Sequence, residues 1–176
     1  MSWRTVIVSS QSKLDYKMGY MVVRGKETRR VLLDEVAILY FNALFGMDFT
    51  RGADTSINAA LNYGYSLILS AVNREISNNG YLTQLGIFHD NMFNPYNLGS
   101  DLMEPFRVLV DRRVRKEMPI EFGKEEKHEM WTILEDTVVI NQCHQSVLNA
   151  IRIYVHSVFE AINDGDPSEI SFFEIE

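Results

Sequence analysis

The sequence predicts an α+β chain: a short N-terminal β meander over residues 1–36, then a mainly α-helical domain over residues 37–176. Three observations predict it. Over the first 33 residues, apolar and polar side chains form short runs and period-two alternation between turn signals. From Asp34 onward the apolar spacing changes to three and four. Two later stretches, 57–76 and 147–162, carry apolar stripes at that helical spacing.

Taken in order, Thr5-Val6-Ile7-Val8 is a β-branched run, and Lys13 to Lys17 alternates polar with apolar. Met18-Gly19 turns the chain into Tyr20-Met21-Val22-Val23, and Gly25-Lys26-Glu27 turns it again into Val31-Leu32-Leu33. Asp34 stands as N-cap for a helix from Glu35 to Phe45, with Gly46 just past its end. Asp54 is placed to cap the next helix, whose stripe is Ile57, Ala60, Leu61, Gly64, Tyr65, Ile68, Val72 and Ile76. Asn78-Asn79-Gly80 ends it. Irregular sequence rich in asparagine leads to a helix over about 100–116, which Pro105 should bend or delay. A charged helix follows around 124–134. The last helix opens at Ser146 and buries Val147, Ala150, Ile151, Tyr154, Val155, Val158, Phe159 and Ile162; Gly165 and Pro167 stop it.

A chain of 176 residues with 46% hydrophobic content can build a core without disulfides or structural metal. The single cysteine, Cys143, excludes a disulfide framework and any CxxC motif, which suits a reducing cytoplasm. No apolar run reaches the length of a membrane span, and Met1-Ser2-Trp3-Arg4 does not open a signal peptide. The net charge of −7 is uneven. Residues 1–115 hold 13 Lys and Arg against 11 Asp and Glu, whereas residues 116–176 hold 4 against 13. Nucleic acid is therefore expected on the first two-thirds, and solvent or a protein partner on the acidic remainder.

Gly86-Ile87-Phe88-His89-Asp90 precedes Asp101-Leu102-Met103-Glu104-Pro105-Phe106-Arg107. Asp101 and Glu104, at i and i+3, point the same way on a helix. An imidazole beside two carboxylates suits Mn²⁺ or Mg²⁺. Acidic residues in a first turn also complement the helix dipole, and spacing alone favours that reading. Arg107, Arg112, Arg113, Arg115 and Lys116 form a basic helix end that suits phosphate oxygens or, equally, a solvated face. Asn58, Asn62, Tyr63 and Tyr65 could meet DNA, though tyrosines at this spacing usually belong to a core. His128, His144 and His156 have no ligand spacing to one another. P-loop, GxGxxG and GxSxG patterns are absent.

The segment Tyr40-Phe41-Asn42-Ala43-Leu44-Phe45-Gly46 is followed by Asp54-Thr55-Ser56-Ile57-Asn58-Ala59-Ala60-Leu61-Asn62-Tyr63-Gly64-Tyr65. Together with Gly86-Ile87-Phe88-His89 and the Asp101 to Arg107 motif, these closely resemble the CRISPR-associated integrases that acquire new spacers, the first family of Cas proteins. The opening Trp3 to Val8 and Ser12-Lys13-Leu14 resemble the type II branch. The resemblance implies an N-terminal β domain, an all-helical catalytic domain and a homodimer working with a second, small Cas adaptation protein on double-stranded DNA. It also implies a Mn²⁺- or Mg²⁺-dependent endonuclease and integrase. His89 and Glu104 take the catalytic and metal-binding places, with Asp101 as an accessory. This reverses the preference that spacing alone gave. Arg107, Arg112 and Arg113 become candidates for the DNA backbone.

The departure matters as much. A segment ending near Val36-Ala37-Ile38-Leu39 runs straight into Tyr40-Phe41, so the chain reads as an internally shortened family member. The family's third metal ligand is a glutamate shortly before the Tyr-Phe pair; Leu33 stands at that distance, and Glu35 is about 200° round a helix from it. Weak or absent activity is expected, with a non-catalytic remnant that binds DNA or pairs with full-length subunits as the alternative. Open strand edges and an uncovered apolar face also predict self-association.

Overall fold

The computed structural model describes residues 26–175, with side chains from Val36 onward; of the meander expected over residues 1–36, residues 1–25 lie outside the described residues. Helix α1 spans Lys26–Phe45. Val31-Leu32-Leu33 is therefore helical where the pattern suggested a strand, and Asp34 lies inside the helix instead of capping it. Good helix formers dominate this stretch, including Lys26, Glu27, Arg29, Arg30, Leu32 and Leu33, and they outweigh the β-branched Thr28 and Val31. Gly46 ends the helix as expected, with φ of +104° and its N–H donating to Asn42 O at 2.9 Å.

Helix α2 (Ser56–Asn78) is the central element, packed against the four later helices: α3 (Asn97–Met103), α4 (Arg107–Glu117), α5 (Lys124–Trp131) and α6 (Val147–Asp164). Its N-cap is Thr55, one residue beyond the expected Asp54; the Thr55 hydroxyl accepts from Asn58 N–H at 3.2 Å. The predicted stripe is buried from Ala60 to Ile76, and Ile57 is partly buried against it. Gly64 is where α4 comes closest. A Cβ there would lie 2.4 Å from Val110 Cγ1 and 3.2 Å from Met130 Sδ, so the helices meet at this distance only because the side chain is hydrogen.

Between α3 and α4 the chain tightens into a 3₁₀ turn, Glu104–Phe106, with Pro105 at its start. The bend expected from Pro105 falls there, since proline cannot donate into a continuous α-ladder. Phe106, fully buried, stacks on Phe173 and meets Tyr154 edge-on.

Sequence patterning missed a small sheet. Strands β1 (Thr137–Ile140) and β2 (Cys143–Ser146) form an antiparallel hairpin in which Thr137 faces Ser146 and Ile140 faces Cys143. Asn141 and Gln142 make its two-residue turn with φ of +51° and +63°, the left-handed pair that fits strand twist. Strand β3 (Phe173–Glu174) adds to the other edge of β1. Helix α6 starts at the expected Ser146 cap and ends at Gly165, whose φ is +73°. Its stripe is buried except for Ile162, which is 51% exposed beyond the reach of the core.

Candidate functional site

The segment from Gly80 to Tyr96 is irregular yet heavily hydrogen-bonded. At its entry Tyr81 stacks on Phe159 with ring centroids 3.7 Å apart, which ties it to α6. Asparagines do most of the folding within it. Asn91 and Asn94 each accept from the backbone N–H two residues on, the local turn for which short amide side chains are suited. Asn97, buried at the start of α3, donates to Gln84 O at 3.0 Å and to Asn91 O at 2.9 Å.

The centre of the loop is held by Asp101. Its Oδ2 accepts from the N–H groups of Ile87 at 2.6 Å and Phe88 at 2.9 Å, and its Oδ1 accepts from His89 N–H at 3.1 Å. The same Oδ1 lies 2.6 Å from His89 Nδ1. An ionised carboxylate offers no proton, so Nδ1 is the donor and the lone pair of a neutral imidazole resides on Nε2. The Asp101 side chain is 8% exposed and that of His89 40%. Gly86 completes the fit: a Cβ would meet His89 O at 2.3 Å and Asp101 Oδ2 at 2.9 Å. The glycine of the Gly-Ile-Phe-His motif thus makes room for the carboxylate that holds the histidine.

Glu104 opens the 3₁₀ turn one helical step beyond Asp101, with its side chain 40% exposed. Its Oε1 accepts from Arg107 Nη1 at 2.9 Å. The Arg107 guanidinium lies 4.4 Å over the ring of Tyr65. Burial would push Arg107 down, but Glu104, Tyr65 and Asp111 together hold it above the usual arginine value. Beneath this pair sits Asp111, 4% exposed, whose Oδ2 accepts from Tyr40 Oη at 2.8 Å and whose Oδ1 accepts from Tyr65 Oη. Burial and the facing Asp111 push both phenols well above their ordinary range. Arg51 also faces the Tyr65 ring and donates to Asn58 Oδ1 at 2.6 Å and Asn62 Oδ1 at 2.8 Å.

Asp111 carries a pH signature. Burial raises its carboxyl, against the lowering effect of the Tyr65 and Tyr40 hydrogen bonds and of Arg107. A raised folded value means the native state binds the proton more tightly than the unfolded chain. The protonated group therefore favours the fold, and this contribution fades as pH rises from about 3.9 through the raised value. Asp111→Asn removes that falling slope. The unfolding free energy of the variant minus that of the parent should grow as pH rises from about 4 through the raised value. Parallel urea-unfolding curves across that range would contradict this.

Of the expected DNA-facing arginines, Arg112 is exposed and Arg107 is paired with Glu104. Arg113 is 16% exposed and grips Asp136 through two contacts of 2.7 Å, with Glu117 at 3.6 Å. It fastens α4 to the start of the hairpin. Asn58 and Tyr65 lie in the interior, and Tyr63 packs edge-on against Phe122. Sequence reasoning passed over Tyr40, Arg51 and Asp111. The available signal was Asp111 itself, a carboxylate between Val110 and Val114 on an otherwise apolar helix face.

Among the described residues, no three His, Cys, Asp or Glu side chains are grouped to hold a metal ion. His89 offers a nitrogen and Glu104 an oxygen, donor types that suit Mn²⁺ or Mg²⁺ chemically. The carboxylate that orients the loop histidine thus lies one helical turn before an exposed glutamate.

The family model for CRISPR associated protein Cas1 matches residues 9–125, and the chain belongs to that family. The CRISPR-associated endonuclease Cas1 of Neisseria meningitidis serogroup C (strain 8013) is 36% identical over 146 residues, covering 80% of this chain and 48% of the relative. The CRISPR-associated endonuclease Cas1 1 of Francisella tularensis subsp. novicida (strain U112) is 35% identical over 78 residues, covering 44% and 24%. The chain thus spans half or less of the length of these curated relatives. A solved casposase bound to integration product shares the fold, with a TM-score of 0.65 at 20% identity over 80% of this chain and 49% of that one. Among the described residues, no helix is long and apolar enough to cross a membrane.

Proposed function

We propose that this chain carries the histidine–glutamate part of a metal-dependent DNA endonuclease and integrase centre of spacer acquisition, weakened because the third ligand of the family pattern is missing. The observation that carries the reading is Asp101, which takes three backbone N–H groups and His89 Nδ1 and so leaves Nε2 as the ring nitrogen turned from Asp101. A divalent ion held by His89 and Glu104 would polarise a scissile phosphate and stabilise the charge developing on it. Asp101 serves as the support for His89, its oxygens being occupied by the loop. Arg112, exposed on α4, is the residue offered to the DNA backbone; the charges of Arg107 and Arg113 are answered by Glu104 and Asp136. The naming of relatives as endonucleases, and a casposase of this fold bound to an integration product, support double-stranded DNA as substrate. Pairing with a second copy and with a small Cas partner belongs to the same reading.

The test is cleavage of branched DNA with Mn²⁺. Low activity that falls by at least about 100-fold in His89→Ala supports the centre. Salt-sensitive DNA binding with no metal-dependent cleavage favours the second reading, a non-catalytic remnant. That alternative draws on the lack of a three-ligand group among the described residues.

A further inference from the structure

We propose that Tyr65 is a positioning residue for Glu104, acting through Arg107 and anchored from below by Asp111. This rests on the reading of Glu104 as a metal ligand and deepens it. Glu104 is 40% exposed on a 3₁₀ turn, where a glutamate has three free torsions and little packing to fix them. One contact restrains it: Arg107 Nη1 on Oε1 at 2.9 Å, which leaves Oε2 outside the pair. An arginine on a surface turn would be as mobile as its partner. This one is restrained, because its guanidinium carbon lies over the Tyr65 ring, 4.4 Å from its centroid.

The ring is in turn fixed from the interior. Tyr65 sits on α2 with its hydroxyl bonded to Asp111 of α4, and Tyr40 of α1 donates to the other oxygen of the same carboxylate. A carboxylate with 4% exposure is expensive to bury, and two phenol donors in place of a direct ion pair are a specific arrangement. Three helices thereby set one ring, the ring sets one guanidinium, and the guanidinium sets one carboxylate oxygen. Both hydroxyls bond the carboxylate, and Tyr65 also carries the Arg107 guanidinium over its ring. That difference makes the two tyrosines a matched pair.

The experiment measures Mn²⁺ affinity by calorimetry, with melting temperature recorded for every variant. Tyr65→Phe and Tyr40→Phe each delete one hydroxyl bonded to Asp111 and should lower the melting temperature to a similar extent. Only Tyr65→Phe should also weaken Mn²⁺, by up to about 10-fold, as expected for a supporting side chain. In a Glu104→Gln background the Tyr65→Phe effect should vanish, because the residue acts through Glu104. Equal Mn²⁺ affinity in Tyr65→Phe and the parent overturns the proposal. So do independent, multiplying effects of Tyr65→Phe and Glu104→Gln. If the parent binds Mn²⁺ and His89→Ala abolishes it, those outcomes remove Tyr65 alone and leave the centre standing. A parent that binds no Mn²⁺ removes both.

Discussion

Asp101→Ala is expected to free the His89 loop and, at the proposed centre, to lose metal binding at once. Three backbone N–H groups and one imidazole nitrogen lose their acceptor together. A single unsatisfied buried donor costs about 1–3 kcal/mol, but this loop is partly exposed and water can replace some of the loss, so about 2–4 kcal/mol is expected for the whole set. The imidazole also loses its fixed tautomer, which lowers metal affinity by about 10- to 100-fold in comparable supports. Asp101→Asn should rescue little. One side of its amide is an NH₂, and both sides of the native carboxylate face N–H donors. The measurement is amide hydrogen exchange at 87–89 together with Mn²⁺ titration. Unchanged exchange in Asp101→Ala would show that the loop holds its shape without the carboxylate.

The other large effect belongs to the core. Gly64→Val should destabilise the fold by about 3 kcal/mol or more, a substantial share of the 5–15 kcal/mol that holds a typical domain. The new Cβ alone would stand 2.4 Å from Val110 Cγ1. Val110 is fully buried and stiff at χ1, so it cannot turn aside. Helix propensity returns only a few tenths of a kcal/mol for valine over glycine, far less than the clash. A second change, Val110→Ala, should restore part of the loss by opening the needed volume. Urea unfolding of the single and double variants measures this. A Gly64→Val protein as stable as the parent would mean that α2 and α4 can separate freely.

How much of this was legible depended on how local each signal is. The stripes of α2 and α6 recur at three and four residues, and burial followed them closely, with Ile162 as the exception. Ser146, Gly165 and Gly46 announce helix ends through chemistry that acts within four residues. The β1–β2 hairpin was hidden because Asn141-Gln142 lacks the glycine that normally marks such a turn, and its strands are only four residues long. The start of α1 was misread because Gly25-Lys26 looks like a turn in isolation. His89 stood out through its resemblance to a family motif, not through any spacing. Arg113 shows the limit most clearly: its partner Asp136 lies 23 residues away, so a side chain that reads as phosphate-binding in sequence is a clamp in space.

The place of α2 at the centre of the fold has a consequence for how the chain is made. Its apolar stripe is complete when Asn78 is synthesised, yet α6, the last of the four helices packed against it, begins only at Val147. At roughly 5–20 residues per second the ribosome takes several seconds to bridge that gap of ~70 residues. For that interval the nascent chain presents Leu61, Ile68, Val72 and Ile76 without their final cover. Domain completion therefore waits on the acidic third, and a ribosome that stalls before α6 releases a sticky intermediate. Chaperone capture during synthesis is the cellular counterpart of this topology.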